Sequence, residues 1–413
     1  MKHPFDDIPE GLLENLNDLQ SQYALDPSPQ KVDLMTGVYK TDSGKAFILP
    51  SVVKAKQRVF DDPDWNHEYP SSHLGTACFR EESSKLFFGR DSTLLRSHQI
   101  VSMQALGASG ACHMGTLFLK LHYGPWNAGA PRRVYIPAES WTNHVNVFTF
   151  LDVEVGSLPY YDSSTGTLAF SALVTAIACL PPQSVVVLQT CAQNPTGCDP
   201  TLDQWRELAA AFIAGGHFAF FDAAYSGFVS GSTHADAACV RIFADAGVPL
   251  LLAATYGKAF GLYGERVGIL LITAPNTSVA ERMEQQMKLL ARAETGAMPI
   301  FGAMVVEAIL KDPILRESWE EDVRSVAAQI RERRSKFRNL LEHDLATPGD
   351  WTRITEQVGM FSCLSLTPQQ TNMLRTQHHV YIQDTGRICI AGLTSSNLEH
   401  VARGIDAVVK QKN

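Results

Sequence analysis

A lysine in a stretch of small residues is the first candidate for chemistry in this sequence. Lys258 lies between Gly257 and Gly261, and the apolar run 249–253 before it is typical of a buried strand. An amine in a desolvated crevice at the end of such a strand favours its neutral, nucleophilic form, as a Schiff-base lysine requires. The two glycines leave room for a flat ligand, and Arg266 adds a cation suited to phosphate. A solvated surface lysine is the alternative that this stretch alone leaves open.

Two more polar side chains follow apolar runs of the same kind. Asn194 comes after the run 184–189, and Asp222 comes directly after 217–221. Continuous apolar strands predict a parallel sheet that is covered on both faces, and ligands bind such sheets outside the carboxyl ends of the strands. We therefore expect Asn194, Asp222 and Lys258 to lie close together at the carboxyl ends of these strands, which we call the rim of the sheet. Taken alone, Asp222 could equally be a helix N-cap.

The elements between and around these strands are predicted from capping and periodicity. Thr201 and Gln204 have capping-box spacing, and Gly215-Gly216 ends the helix that they open. A second capping box, Ser396 with Glu399, predicts the last helix. Further helices are predicted over 51–60, 279–292 and 314–345, and residues from Trp351 onward have an α+β pattern.

The segment 107–111 is a small-residue turn that opens a helix with Met114, Leu117, Phe118 and Leu121 on its apolar positions. Free backbone N–H groups and the helix dipole make such a turn an anion site suited to phosphate. The segment matches neither nucleotide-binding glycine motif, and helix-packing glycines explain it equally well.

Composition narrows the class of protein. The chain has 413 residues, with 35 Lys and Arg against 43 Asp and Glu and a net charge of −8, and it contains no dense basic run. This argues against nucleic acid and membrane as partners and favours an enzyme of small metabolites. The eight cysteines have no zinc spacing, so we expect reduced thiols and no metal site. The acidic amino terminus lacks an apolar signal segment, and the default expectation is a cytoplasmic protein.

Several motifs together resemble one family. They are Asn194-Pro195-Thr196-Gly197, Asp222-Ala223-Ala224-Tyr225, Lys258 with Arg266, Gly386-Arg387-Ile388, Ser140-Trp141-x-Asn143-His144 and the run 261–268. In this order they resemble the class I aminotransferases of the fold-type I pyridoxal-phosphate enzymes, and within them the aspartate aminotransferase subgroup. The resemblance extends from Val32 to the last helix.

The resemblance implies an α/β fold with a mainly parallel seven-stranded sheet flanked by helices and a smaller α+β domain. It implies a large cofactor domain over 48–323 and a small domain built from 1–47 and 324–413. It also implies a homodimer with shared active sites.

The resemblance further implies roles for individual residues toward the cofactor, pyridoxal 5′-phosphate. Lys258 would bind it as a Schiff base and carry the proton, and Asp222 would pair with its pyridine nitrogen. Asn194 and the third catalytic candidate, Tyr225, would hydrogen-bond its phenolic oxygen. The remaining cofactor contacts would be a stacking Trp141, a phosphate cup of Ala108, Ser109, Thr255 and Arg266, and Tyr69 from the neighbouring subunit.

His144 would support Asp222, although a core histidine is its plainer interpretation. Toward the substrate, Arg387 would bind the α-carboxylate with Trp141, Asn194 and a flap at Gly37, although an arginine at a strand start is usually a surface residue.

Arg292 decides the expected substrate. By its family position it would reach across the dimer to the distal carboxylate of aspartate or glutamate, although a solvated helix arginine is the alternative. The usual Ser-Asn-Pro-Pro run after it is replaced by Gly296-Ala297-Met298-Pro299, and Thr255 and Ala108 replace the common serine and glycine.

We therefore expect transfer of the amino group of L-aspartate to 2-oxoglutarate by a ping-pong mechanism, giving oxaloacetate and L-glutamate. A broad enzyme that also accepts aromatic amino acids is the first alternative, and a lyase or decarboxylase on the same fold is the second. A cofactor-binding regulator is a third class, but the sequence has no basic helix-turn-helix pattern to support it.

Overall fold

The computed structural model of the protein describes residues 3–8 and 15–411. Met1 and Lys2 of the amino-terminal stretch lie outside the described residues. The strands are β1 (Val32–Asp33), β2 (Ile100–Leu106), β3 (Arg133–Pro137), β4 (Glu154–Leu158), β5 (Tyr161–Asp162), β6 (Thr167–Leu168), β7 (Val185–Gln189), β8 (Phe218–Ala223), β9 (Leu250–Thr255), β10 (Val267–Thr273), β11 (Phe361–Cys363), β12 (Val380–Tyr381) and β13 (Arg387–Cys389).

The helices surround these strands. They are α1 (Asn15–Leu25), α2 (Pro50–Phe60), α3 (Ala77–Phe88), α4 (Thr93–Arg96), α5 (Gly107–His122), α6 (Gly124–Asn127), α7 (Asn143–Thr149), α8 (Phe170–Ala178), α9 (Leu202–Gly215), α10 (Thr233–Asp236), α11 (Ala238–Asp245), α12 (Thr277–Glu294), α13 (Phe301–Lys311), α14 (Pro313–Asn339), α15 (Arg353–Glu356), α16 (Pro368–His378) and α17 (Leu398–Lys410). Short 3-10 turns cover Tyr263–Glu265 and Ile390–Gly392, and a π turn covers Leu340–Asp344.

In the described part of the chain, the central sheet has seven strands in the order β2-β10-β9-β8-β7-β3-β4. The strands from β9 to β4 pair in parallel, and only β10 runs against its two neighbours. The prediction of a mainly parallel seven-stranded α/β sheet is therefore confirmed. Antiparallel β10 lies between β2 and β9, so the segments 107–109, 255–258 and 266 meet at one end of these three strands.

Both faces of the sheet are buried, as its continuous apolar strands predict. Along β7, Val186 and Leu188 pack into one hydrophobic cluster, while Val185 and Val187 pack into a second cluster on the opposite face. Helix α5 packs against β9 and β10. Because both faces are packed, the sheet is held rigidly and so are the strand ends that carry the polar residues.

The predicted capping box of α9 is confirmed, because the Thr201 hydroxyl accepts from the Gln204 backbone N–H and the Gln204 side chain accepts from the Thr201 backbone N–H.

The predicted capping box at Ser396 is wrong. Helix α17 begins after Asn397 without a side-chain cap, and the Ser396 hydroxyl lies 2.9 Å from the Thr394 hydroxyl and 3.2 Å from the Asp42 carbonyl. Leu121, expected on the apolar face of α5, is exposed because the helix edge there faces solvent.

Outside the central sheet, small sheets bring distant segments together. Strand β1 pairs in parallel with β12, and β11 pairs antiparallel with β13, which carries Arg387 at its start.

All eight cysteines are free thiols, as expected. Within the described residues, no helix is both long and apolar enough to cross a membrane.

Candidate active site

Lys258 lies just after β9, above the ring of Tyr225, with its Nζ atom 5.0 Å from the ring centroid. Burial lowers the pKa of the lysine amine, Arg266 lowers it further, and the Asp222 carboxylate partly opposes both. The neutral amine is therefore favoured relative to a solvated lysine. The side chain is only partly exposed and its amine lies over the Tyr225 ring, so a fully solvated surface lysine does not describe this residue.

Asp222 is only 3% exposed and lies within β8, not past its end as the sequence suggested. Its Oδ2 atom is 3.2 Å from Nε2 of the fully buried His144, whose Nδ1 atom is 2.8 Å from the Ser140 hydroxyl. When Nδ1 accepts from Ser140, Nε2 donates to the carboxylate and orients it. The other oxygen, Oδ1, is buried and has no hydrogen-bond partner among the described residues. A buried carboxylate oxygen of this kind fits a ligand that presents an N–H group.

Asn194 links two further predicted residues. Its amide Nδ2 donates to the Tyr225 hydroxyl at 3.4 Å, and its Oδ1 accepts from Arg387 at 3.0 Å. The Gln189 side chain holds the Asn194 backbone through bonds of 2.9 Å to both its N–H and its carbonyl. The end of β7 therefore fixes the asparagine between the phenol and the guanidinium.

Arg387 is 6% exposed, in contrast to an ordinary surface arginine. Its guanidinium lies over the Phe361 ring, 4.3 Å from the centroid, and donates to the Met35 carbonyl. Burial lowers its pKa, and its Nε atom has no partner in the described chain. The segment after Met35 closes over the same ring, because a Cβ atom on Gly37 would lie 2.7 Å from Phe361. The geometry leaves a partly unpaired arginine fork that suits a carboxylate.

The predicted phosphate cup lies where α5 begins. Gly107 has φ +67°, and a Cβ atom on it would lie 2.4 Å from the Arg266 guanidinium. Ala108 and Ser109 occupy the first turn of α5, which has no side-chain cap. Unpaired helix N–H groups beside an arginine form a site for an oxyanion. The Thr255 hydroxyl is already engaged, since it donates to the Val267 carbonyl at 3.1 Å and accepts from the Gly257 N–H at 3.1 Å.

The remaining predicted residues lie at the edge of this group or on the surface. The partly exposed Trp141 ring packs edge-on against His144, with centroids 5.3 Å apart. Tyr69 is 80% exposed, and Arg292 is exposed in the last turn of α12. One chain does not bring Tyr69 and Arg292 to its own site, and their predicted roles across a dimer stay predictions.

Sequence reasoning missed several supporting residues. Gly107 enters the sequence prediction only as part of a turn, although a glycine directly before a helix and after a buried strand is a usable signal for close approach of another group. Nothing local in the sequence marks Phe361 as the platform of Arg387, or Gln189 as the support of Asn194. These contacts join segments that are distant in the chain or depend on one side-chain orientation.

Known proteins match this chain along nearly its full length. The family model described as aminotransferase class I and II matches residues 29–405. Aspartate aminotransferase 1 of Medicago sativa is 39% identical over 94% of this chain and 91% of its own length. The structure of an aromatic-amino-acid aminotransferase from Burkholderia pseudomallei, covalently bound to pyridoxal phosphate, has TM-score 0.94 and 33% identity and covers 99% of this chain and 100% of its own. Cytoplasmic aspartate aminotransferase of Saccharomyces cerevisiae has TM-score 0.94 and 34% identity, over 98% of both chains.

These matches agree with the rim of polar residues that the fold builds at the ends of β7, β8 and β9. Each covers far more than the motifs that first suggested a resemblance. We conclude that this chain belongs to the class I and II aminotransferase family.

Proposed function

We propose that this protein is a pyridoxal-phosphate-dependent aspartate aminotransferase that transfers the amino group of L-aspartate to 2-oxoglutarate. One observation carries the cofactor assignment: Oδ1 of Asp222 is buried, has no hydrogen-bond partner in the described part of the chain and belongs to a carboxylate close enough to Lys258 to affect the pKa of its amine. The residues present fit the cofactor, because an N–H donor for this oxygen and an oxyanion for the α5 terminus are both features of protonated pyridoxal phosphate. The identity to aspartate aminotransferases supports the reaction class.

When bound, the cofactor supplies an aldehyde that condenses with amines and a ring that delocalises the electron pair left on the substrate Cα. The protein supplies positions and protons. Asp222, oriented by His144, would pair with the ring nitrogen of the cofactor and favour its protonated form. Lys258, with its amine free and neutral, would accept and carry the proton removed from the substrate Cα. Two half-reactions of this kind give the ping-pong sequence.

Arg387 would bind the substrate α-carboxylate through its unpaired donors, and Asn194 and Tyr225 would hold the phenolic oxygen of the cofactor. Ala108, Ser109, Thr255 and Arg266 would surround the phosphate, and Trp141 would stack on the ring. The buried setting of Arg387 strengthens these charge-assisted bonds because water competes less there.

Arg292 is the residue that we propose binds the distal carboxylate of the substrate. Its exposure in one chain is what a residue needs if it serves the neighbouring subunit, and the same holds for Tyr69. We therefore include in the proposal a homodimer with shared sites, formed from the large domain 48–323 and the small domain 1–47 with 324–413. A cytoplasmic location is supported by the rice relative named as cytoplasmic.

A broad-specificity enzyme is the second candidate. Two observations favour it: the run Gly296 to Pro299 departs from the subgroup beside Arg292, and aromatic aminotransferases are among the similar structures. A side-chain pocket reshaped by this run would admit an aromatic ring as well as a carboxylate.

The half-reaction tests both candidates. The cofactor-loaded protein is mixed with L-aspartate or L-phenylalanine alone, and absorbance follows conversion of the pyridoxal form to the pyridoxamine form. Fast conversion by aspartate only supports the first candidate, and comparable rates support the second. The Lys258→Ala variant should convert neither, and steady-state transamination by that variant would overturn the proposal. Substituting Arg292 should harm aspartate far more than phenylalanine.

A further inference from the structure

A second cavity lies beside the candidate active site. It has a volume of about 460 Å³ and shares Asn194 and Arg387 with that site, but its lining does not include Lys258, Asp222 or Tyr225. The cavity therefore borders Arg387 without being lined by the reactive amine. Its charged lining residues are Arg353, Arg387 and Glu139.

Arg353 is the unusual member of this lining. It is 6% exposed, yet its guanidinium makes no hydrogen bond and no ion pair with the described residues, and its Nε atom is fully buried. Hydrogen bonds from Thr352 and, more weakly, the charge of Arg353 lower the pKa of the Asp350 carboxyl, but the two side chains are not in ion-pair contact. The guanidinium packs on the backbone of Gly166, where a Cβ atom would lie 3.2 Å from Cζ and where φ is +76°. Burying a cation without a partner is costly, so an arginine built into such a position indicates an anionic ligand.

Glu139 provides the opposite charge in the same cavity. Its Oε2 atom is buried and has no partner among the residues described, and it forms no ion pair with Arg353. Burial raises the pKa of the Cys363 thiol, which also lines the cavity, while Arg387 lowers it, Glu139 raises it and Arg353 lowers it. The lining thus holds an unpaired cation and an unpaired anion that do not satisfy each other.

We propose that this cavity is an accessory binding site for a small zwitterion of the amino-acid class, with its carboxylate on Arg353 and its ammonium on Glu139. The hydroxyl groups of Thr142 and Ser163, also in the lining, offer further hydrogen bonds. A simple anion would leave Glu139 unpaired beside another negative charge, and a simple cation would leave Arg353 unpaired. Only a ligand with both charges pairs both groups. This binding does not depend on the proposed reaction.

Calorimetric titration of the cofactor-loaded protein tests the site with two probes. 2-Aminoisobutyrate is a zwitterion without a hydrogen on its Cα, so it cannot be transaminated, and isobutyrate has the same skeleton without the ammonium. The unaltered protein should bind 2-aminoisobutyrate at two sites per chain. Arg353→Met should weaken one of them by about tenfold or more, because it removes a charge-assisted contact. The binding that survives in this variant measures the Arg387 site.

Glu139→Gln should remove the preference of the accessory site for 2-aminoisobutyrate over isobutyrate and leave isobutyrate binding as tight or tighter. Arg353→Lys keeps the charge and controls for folding, and it should retain the second site. One binding event per chain in the unaltered protein, or a titration that Arg353→Met leaves unchanged, would overturn the site. If Arg353→Met does not fold, loss of the second site in a folded Arg353→Lys would also overturn it. An unchanged preference in Glu139→Gln would refute the zwitterion assignment.

Discussion

At the residue scale, two buried polar atoms that find no hydrogen-bond partner among residues 3–8 and 15–411 mark the candidate active site: Oδ1 of Asp222 and Nε of Arg387. Each belongs to a side chain whose other polar atoms are held by the protein, by His144 in one case and by Asn194 and the Met35 carbonyl in the other. A side chain that is half held and half free is oriented before the ligand arrives. Such preorganisation reduces the entropic cost of ordering these side chains when the ligand binds.

The buried amine of Lys258 predicts a pH-dependent stability in the cofactor-free protein. Its pKa is below the usual 10.5 because burial disfavours the ammonium. Between the lowered pKa and 10.5, the unfolded chain binds a proton that the native protein has released, so the free energy of unfolding rises with pH through this window. Below the window the cost of burying the charge is fully present. Lys258→Met removes this cost and should be more stable than the unaltered protein at neutral pH.

The advantage of Lys258→Met should shrink as the pH approaches 10.5. Urea unfolding of the cofactor-free proteins across this range measures it. Lys54→Met, at an exposed lysine of α2, is the matched control and should show no such pH dependence. A difference between Lys258→Met and the unaltered protein that stays constant with pH would contradict the interpretation of a depressed pKa.

A substitution at Gly107 should weaken cofactor binding at the phosphate cup, and this effect can be separated from its effect on stability. Gly107→Ala places a methyl group against the Arg266 guanidinium and should weaken cofactor binding by about tenfold or more, since a charge-assisted contact is displaced. Gly129→Ala is the control, because Gly129 also has positive φ but its Cβ would meet nothing within 4 Å. Both variants should lose about 1–2 kcal/mol of stability from the left-handed backbone. Equal cofactor dissociation constants in the two variants would refute the role of the cup.

At the scale of elements, α9 carries the chain from β7 to β8 and so sets the separation of Asn194 from Asp222. Its N-cap makes a quantitative prediction. Thr201→Ala removes the side-chain bond to the Gln204 N–H and should cost about 1 kcal/mol of unfolding free energy. Ser92→Ala, at the start of α4, where the serine makes no capping bond, should change it by less than about 0.5 kcal/mol. Chemical denaturation of the two variants measures both values, and equal losses would contradict the capping argument.

The same elements show what the sequence can predict. Runs such as 184–189 and 249–253 predict strands because burial on both faces requires continuous apolar side chains, and the rim followed from those strands. Ser396 failed as a cap because its hydroxyl is engaged by Thr394 and by the distant Asp42 carbonyl. The stacking of Arg387 on Phe361 was equally out of reach, since a pairing of β13 with β11 creates it. Local physics predicts elements, while contacts between distant segments depend on the assembled fold.

At the scale of the whole molecule, the predicted site is incomplete in one chain. Tyr69 and Arg292, a large aromatic ring and a cation with predicted ligand contacts, both lie exposed on the surface. Within the described residues neither side chain has a hydrogen-bond partner. The proposed homodimer gives these exposed groups a function, because each chain would present them to the site of its neighbour.

Mixed dimers test this arrangement directly. Lys258→Ala and Arg292→Ala are each expected to be weak or inactive on aspartate as homodimers. In a hybrid of the two, one site combines the intact Lys258 of one chain with the intact Arg292 of the other, so random pairing should restore about a quarter of the unaltered activity.

The hybrid can be isolated with a different affinity tag on each chain, and its aspartate activity is then compared with that of a Lys258→Ala and Asp222→Ala hybrid. Lys258 and Asp222 are proposed to act within one chain, where the Asp222 carboxylate lies close enough to the Lys258 amine to act on its pKa, so each site of the control hybrid keeps one defect and should stay inactive. Activity in the first hybrid alone would support a distal-carboxylate contact made across the dimer. If the two hybrids are equally inactive, Arg292 acts within its own chain, and if no hybrid can be isolated, the homodimer itself is wrong.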